Sequence, residues 1–211
     1  GAIIMVHGDD SGLVLPPRIA PTQVRIIPIA QHKEGVLDKA QELLSIIKQE
    51  NIRIDIDCTD KSPGYKFSEQ EMLGIPIRIE IGPKDIENNQ AIIVRRDNGE
   101  KITTKLDNLT ITIKETLEMI QKDMFEKAND FLNKHIFEAN NIEEMISISE
   151  NNIGFIKANW CGDEKCEEEI KFKTNGYGSR CIVENENEKI KGNCINCDKE
   201  AKYRIFWGKS Y

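Results

Sequence analysis

The sequence contains no apolar run long enough to cross a bilayer, so no membrane-spanning helix is expected. No secretory leader is expected either, because the short apolar stretch at residues 2–6 follows no basic segment and is too short. The net charge of −7 argues against wholesale coating of nucleic acid, although it is compatible with a local basic groove. With 211 residues, 39% of them apolar and 31% charged, the chain is predicted to be a soluble cytoplasmic protein of one or two domains.

Cysteine is nearly absent from the first three quarters of the chain, where Cys58 stands alone, and five more cysteines follow between residues 161 and 197. This shift in composition predicts a domain boundary near residues 140 to 150. In a cytosolic protein, such clustering favours metal or redox chemistry over disulfides. Cys58 and Cys181 have no partner at ligand spacing and are predicted to be small buried apolar residues.

The other four cysteines form two pairs, Cys161-x4-Cys166 and Cys194-x2-Cys197. Two such pairs supply the four tetrahedral thiolates that a structural Zn²⁺ ion prefers and leave no open position for catalysis. The alternatives are four unligated thiols, or a redox pair at Cys194 and Cys197. The redox interpretation requires a strand-to-helix junction, whereas this pair is predicted to lie in a turn.

Periodicity predicts an α/β domain before the cysteines. An apolar strand ends near Ile29, a helix follows with apolar residues at helical spacing from Val36 to Ile47, and isoleucines alternate with charged residues over 52–57. Strand, helix and strand in this order predict a right-handed unit with two parallel strands. A second helix is predicted to end at Gly74, and the strand after it places Arg78 and Glu80 together on an exposed face.

A hairpin and a long helix complete this domain. Asn98-Gly99 lies between two strand-like segments and is a strong signal for a hairpin turn. A helix is predicted from about Asn108 to His135, and its buried stripe is predicted to contain Leu117, Ile120, Met124, Ala128 and Phe131. Residues 24–110 are therefore predicted to form a three-layer α/β domain, followed by a helical connector and a cysteine-bearing module.

Four blocks of the sequence, HGDDSGLVLPPRIAPTQVRIIPI, SPGYKFSEQEMLGIPIRIEIGPKD, RRDNGEK and FWGKSY, resemble the prolyl-tRNA synthetase family of the archaeal and eukaryotic type, a class IIa family. The resemblance extends over essentially the whole chain. It implies that residues 1–23 end a catalytic domain with its motif 3, and that 24–140 form an anticodon-binding α/β domain with a mixed sheet and a connecting helix. It also implies that 141–211 form a small α+β zinc-binding domain.

The resemblance also implies site residues. Arg18 would bind ATP, which suits a permanently charged guanidinium that can stack on adenine and bond phosphate. Every proline anticodon ends in two guanines, and guanine offers N–H donors beside O6 and N7 acceptors, so its reader needs carboxylates and cations together. The residues implied for this role are Glu71, Arg78, Lys84, Asp85 and Lys101. The zinc ligands would be Cys161, Cys166, Cys194 and Cys197, and the carboxylate of Tyr211 would fold toward the active site.

Other residues could assist the binding of RNA. A basic groove could include Lys66, Arg95 and Arg96, and Tyr65 and Phe67 are candidates for stacking on a base. Each charged residue, Arg18 included, could alternatively be an ordinary solvated side chain, and either aromatic ring could belong to the core.

The implied function is a part of prolyl-tRNA synthetase, which attaches proline to tRNA(Pro) with ATP and Mg²⁺ and is expected to be a homodimer. Motifs 1 and 2 and the proline pocket are not in these residues, so the chain is expected to be the inactive tail of a longer enzyme. Two alternatives remain: a free-standing tRNA-binding accessory module, and a zinc-stabilised protein-interaction domain.

Overall fold

The computed structural model describes residues 1–183 and 190–209 and divides into two compact units, Gly1–Ala128 and Asn129–Tyr211. Among the helices that it describes, none combines the length and the apolarity needed to cross a membrane.

Unit 1 is built on a five-stranded mixed sheet with strand order β2-β1-β3-β4-β5. β1 is parallel to β2 and β3, whereas β4 is antiparallel to β3 and β5. Its elements are α1 (Ala2–His7), β1 (Val24–Pro28), α2 (Val36–Lys48), β2 (Ile54–Ile56), α3 (Pro63–Met72), β3 (Ile77–Ile81), α4 (Pro83–Glu87), β4 (Gln90–Arg95), β5 (Lys101–Lys105), a 3-10 turn (Leu106–Asn108) and α5 (Leu109–Lys134). The predicted parallel unit and the predicted hairpin are both confirmed.

The two faces of this sheet are covered by different helices. Ile77, Ile79 and Ile81 share one apolar cluster with buried residues of α2 and α5, such as Ile47 and Ile113. α3 covers the opposite face, where it contacts the polar side chains of β3. Helices on both sides of a mixed sheet are the three-layer α/β arrangement that the sequence predicts.

Two predictions about exposure, one in β3 and one near the end of α5, are wrong. Arg78 and Glu80 share a face of β3 as expected, but they are only 5% and 8% exposed, because α3 lies over that face. Phe131 was placed on the buried stripe of α5 but is exposed and stacks on His135, with ring centroids 4.1 Å apart. The stripe itself holds over the first part of α5, where Leu117, Ile120 and Met124 are buried.

The described part of unit 2 contains a four-stranded sheet with strand order β6-β7-β9-β8, together with the helices α6 and α7. β6 and β7 are parallel, and the other neighbours are antiparallel. Its core includes the fully buried Trp207, together with Met145, Ile156 and Ile170. The elements are β6 (Ile136–Glu138), α6 (Ile142–Asn151), β7 (Phe155–Trp160), α7 (Glu164–Lys173), β8 (Tyr177–Ile182) and β9 (Tyr203–Lys209). This is the small α+β module that was predicted.

The prediction that Cys58 and Cys181 are buried is wrong, since both thiols are exposed. Cys58 follows β2 in a surface loop, where Gln31 Nε2 binds its carbonyl oxygen at 3.1 Å. Cys181 lies on β8, an edge strand, next to an irregularity in its pairing with β9. Neither position gives the thiol a second layer to pack against.

Candidate functional sites

Arg78 is the centre of a polar cluster between β3 and α3. Its Nε donates to Glu80 Oε1 at 2.9 Å, and its Nη1 donates to Gln70 Oε1 at 3.0 Å and to Glu71 Oε1 at 3.1 Å. The guanidinium carbon also lies 4.2 Å from the centre of the Phe67 ring. Because a guanidinium is flat and carries a fixed fork of donors, these contacts hold it in one orientation. One face of the Phe67 ring is therefore covered by the Arg78 guanidinium.

Gln70 fixes the position of this cluster through its side-chain amide. Its side chain is buried, and while its Oε1 accepts from Arg78, its Nε2 donates to the carbonyl oxygen of Ile75. Both ends of the amide are used, so the orientation of the amide follows from its partners. The sequence pattern did not point to Gln70, and it indicated Glu80 only as an exposed neighbour of Arg78. Both residues could have been found from their positions, because Gln70 on α3 and Glu80 on β3 lie on surfaces that face each other.

The ends of this cluster reach solvent at Glu71 and Lys101. The Glu71 side chain is 38% exposed, and the Lys101 side chain, on β5, is 60% exposed. Lys101 Nζ lies 3.9 Å from Glu80 Oε2, so Glu80 is located between the two cations. The four side chains therefore alternate in charge. Glu71 and Lys101 are the exposed ends of the series, and Arg78 and Glu80 are its buried middle.

The remaining two predicted guanine readers lie on α4, which begins directly after the turn that follows β3. Asp85 Oδ2 accepts from the backbone N–H of Gly82 at 2.9 Å, which caps the first turn of α4. Lys84 is exposed. Within the described residues, no hydrogen bond or ion pair links Lys84 or Asp85 to Glu71, Arg78 or Lys101.

The predicted basic groove of Lys66, Arg95 and Arg96 is wrong. All three side chains are buried, because each is engaged by acceptors inside unit 1. Lys66 Nζ binds the carbonyl oxygen of Asp57 at 2.9 Å, and Arg95 binds Asp97 and Asp123 at 2.7 and 2.6 Å. Charge pairing with these aspartates raises the pKa of Arg95. These cations therefore stabilise the fold and are not presented to a ligand.

Arg18 lies in the turn that follows Pro16 and Pro17, and its side chain is 72% exposed. Among the described residues, its guanidinium forms a loose ion pair with Glu118 of α5, at 3.4 Å. Arg53, which the sequence analysis did not single out, anchors this turn, since it donates to the carbonyl oxygens of Pro17 and Ala20 at 2.8 Å each. The turn is thus rigidly attached while the Arg18 side chain stays accessible.

A second anchor joins the opening loop to the end of α3. Arg96 makes a two-point ion pair with Asp9, at 2.7 and 2.6 Å, and its Nε donates to the carbonyl oxygen of Glu71 at 2.9 Å. The Arg96 guanidinium lowers the pKa of Asp9 to about 2. Arg96 therefore contacts the backbone of a predicted guanine reader and the loop that leads to Arg18.

The four predicted metal ligands come together in unit 2. Cys161 follows β7, Cys166 lies in the first turn of α7, and Cys194 and Cys197 lie in the loop before β9. The four sulfur atoms lie within 4.8 Å of one another; Cys166 and Cys194 are 3.5 Å apart, and Cys161 and Cys197 are 3.6 Å apart. A tetrahedral ion with bonds of about 2.3 Å to sulfur requires edges of about 3.8 Å, so this set fits such an ion.

The environment of these thiols also suits a metal. Burial raises the pKa of Cys161 and of Cys166. At Cys194, burial acts in the same direction, but backbone N–H groups that donate to the sulfur outweigh it and lower the pKa to about 7. A divalent ion would compensate the cost of ionising four clustered thiols. Tyr211, the remaining predicted site residue, lies outside the described residues.

Two protein-family models match segments of the chain. Residues 23–116 match the protein family described as Anticodon binding domain, and residues 142–211 match the one described as Prolyl-tRNA synthetase, C-terminal.

Curated relatives match over the whole chain. It is 54% identical to the proline–tRNA ligase of Clostridium novyi (strain NT) and 55% identical to that of Lachnoclostridium phytofermentans, over all 211 residues in both comparisons. The proline–tRNA ligase of Clostridium botulinum (strain Loch Maree / Type A3) is also 54% identical over the same residues. These residues cover 44%, 43% and 44% of the three relatives, so the chain spans less than half of their length.

Proposed function

We propose that the chain belongs to the prolyl-tRNA synthetase family and supplies the anticodon-reading domain and the C-terminal domain of a proline–tRNA ligase. The parent reaction activates proline with ATP to an adenylate and transfers it to tRNA(Pro). In this proposal, unit 1 selects the tRNA by its anticodon guanines. The homodimeric state of the parent enzyme and its cytoplasmic location remain predictions.

The observation that carries the proposal is the polar cluster centred on Arg78. A guanine presents N–H donors and, next to them, carbonyl and ring-nitrogen acceptors. Glu71 offers an exposed carboxylate for the donors, and Lys101 offers an exposed ammonium group for the acceptors. Arg78 is too deeply buried to act alone, so we assign it the role of holding Glu71 in place while its outer edge contributes a donor.

Lys84 and Asp85 are proposed to contact the second guanine or a neighbouring phosphate. Asp85 uses one carboxylate oxygen to cap α4, and its other oxygen has only a 3.5 Å contact with Gln90. A carboxylate fixed at one oxygen is well oriented to accept a hydrogen bond at the other. The short helix α4 thus holds both side chains next to the end of β3.

Arg18 is proposed to bind ATP, with Mg²⁺ on the phosphates, in the complete enzyme. Its accessible guanidinium on a turn anchored by Arg53 supports this role, because stacking on adenine requires an exposed cation on a rigid support. Since motifs 1 and 2 are not in these residues, we expect no proline-dependent ATP–pyrophosphate exchange by the 211-residue chain.

The four cysteines are proposed to hold a structural Zn²⁺ ion. The ion would use all four thiolates and would connect α7 with the loop before β9. Full coordination by sulfur leaves no position for water, so the ion would stabilise unit 2 without a part in catalysis.

Binding of the 211-residue chain to tRNA(Pro) tests the assignment of unit 1. With each anticodon guanine replaced in turn, at one fixed salt concentration, we expect losses of about 1–3 kcal/mol per guanine. Glu71→Gln and Lys101→Met should remove this discrimination. Lys122→Met, which deletes the same charge from an exposed position on α5, should leave it unchanged. Equal binding to all tRNAs by the wild-type chain would contradict the assignment.

A further inference from the structure

Asn196, between the last two cysteines of the metal cluster, contacts one of the four sulfur atoms through its side chain. Its Nδ2 lies 3.3 Å from Cys166 Sγ and 2.8 Å from Glu169 Oε2. Its Oδ1 accepts from Lys173 Nζ at 2.6 Å. Glu169 and Lys173 both lie on α7, the helix that carries Cys166.

These partners determine which end of the amide faces the sulfur. A carboxylate can only accept and an ammonium can only donate, so Glu169 selects the nitrogen of Asn196 and Lys173 selects its oxygen. Reversing the amide would place a donor against the ammonium and an acceptor against the carboxylate. The N–H that points to Cys166 is therefore fixed by two charged neighbours.

Cys166 differs from two other cysteines in the source of its hydrogen bonds. Backbone N–H groups donate to the sulfur of Cys194 and to that of Cys161. At Cys166, which is 5% exposed, the N–H donor comes from the Asn196 side chain. A substitution can remove this donor without altering the backbone of either cysteine pair.

We propose that Asn196 is a positioning residue of the metal site, which orients Cys166 and stabilises its thiolate as a ligand. The inference rests on the proposed metal site. Four thiolates around a divalent cation carry a net charge of −2, and an N–H donor to sulfur disperses part of that charge. Lys173 assists by polarising the Asn196 amide and by adding a positive charge nearby.

The test measures metal affinity in the 211-residue chain, by competition for Zn²⁺ with a chromogenic chelator and by titration with Co²⁺. Loss of a partner that orients a ligand typically weakens metal binding about 10–100-fold, and we expect a loss in this range for Asn196→Ala. Asn196→Asp should bind more weakly still, because it places a carboxylate against both the thiolate and Glu169. Lys173→Met should show a smaller loss than Asn196→Ala.

Lys171→Met is the matched control, since Lys171 also lies in the last turn of α7 and makes no side-chain hydrogen bond among the described residues. The Co²⁺ complex provides a readout beyond affinity. If Asn196 donates to Cys166, its removal should shift the sulfur-to-cobalt charge-transfer band, whereas Lys171→Met should not. Circular dichroism of the metal-loaded variants identifies any that fail to fold.

The outcomes separate the two proposals. If the wild-type chain binds neither Zn²⁺ nor Co²⁺, the metal site is refuted and the role of Asn196 with it. If the wild-type chain binds but Asn196→Ala keeps its affinity within twofold and its cobalt spectrum unchanged, the metal site stands and the role of Asn196 is refuted. Weaker binding with a shifted band supports both.

Discussion

Replacing Arg78 by Met should destabilise unit 1 as well as impair the recognition of RNA. The substitution removes the cation that pairs with Glu80, whose side chain is only 11% exposed. Breaking a buried ion pair on one side costs about 3–5 kcal/mol, because the remaining charge is left without compensation. Lys101 lies 3.9 Å from Glu80 and can compensate in part, so we expect a loss near the lower end, about 3 kcal/mol.

A second substitution separates the cost of leaving the Glu80 charge unpaired from the other effects of removing Arg78. Arg78→Met combined with Glu80→Gln removes both charges and should recover part of the stability that Arg78→Met alone loses. Arg78→Lys keeps the charge but lacks the fork that reaches Glu80, Gln70 and Glu71 together, so it should be intermediate.

The assay has to observe unit 1 separately. Both tryptophans, Trp160 and Trp207, belong to unit 2, so their fluorescence follows that unit and serves as the reference signal. Amide hydrogen exchange over β3, measured by mass spectrometry at increasing urea concentrations, follows unit 1 and gives its free energy of unfolding. A loss below about 1 kcal/mol would show that Arg78 is a surface residue in solution and would refute the buried-pair reasoning.

Three further predictions concern separate parts of the chain. The pKa of Asp9 is lowered from 3.8 to about 2 in the folded protein, so its ion pair stabilises unit 1 above about pH 4 and is lost as the pH falls toward 2. Because Asp9 is half exposed, we expect urea unfolding to show Asp9→Asn costing only about 1 kcal/mol at pH 6 and almost nothing at pH 2. Gly74→Ala should lower the melting temperature far more than Gly99→Ala: both glycines have positive φ, but a Cβ at Gly74 would meet Leu13 at 2.6 Å, whereas a Cβ at Gly99 meets nothing within 4 Å. Removal of metal by a chelator should lower the unfolding midpoint reported by tryptophan fluorescence, and re-addition of Zn²⁺ should restore it.

The order and the type of the main elements could be predicted because each depends on local periodicity. The isoleucines of β3 alternate over five residues, and the Asn98-Gly99 turn fixes the hairpin that follows. Each cysteine pair of the metal cluster was predictable for a similar reason, since few residues separate its members. The meeting of the two pairs is a long-range contact, because Cys166 and Cys194 are 28 residues apart, and it was inferred from the four ligands that a structural zinc ion needs.

Exposure could not be predicted in the same way, because it depends on which helix covers a face. The alternation in β3 places Arg78 opposite the isoleucines, and a polar residue there is normally exposed on a sheet with one free face. Here α3 covers that face, and Gln70 and Phe67 reach Arg78 from it. The same limit applies to Asn196, whose partners Cys166 and Lys173 are 30 and 23 residues away.

The burial of Arg78 changes the way in which the proposed guanine-binding residues would act. If five accessible charges read the RNA independently, each substitution would weaken binding and leave the fold unaffected. The observed cluster instead places the exposed carboxylate of Glu71 on a buried guanidinium that Gln70 and Glu80 hold in position. Glu71→Gln should therefore lose discrimination with little loss of stability, and Gln70→Ala should lose both, because it releases Arg78 without touching the RNA. A Gln70→Ala variant that is destabilised but still discriminates between the guanines would show that Glu71 needs no such support.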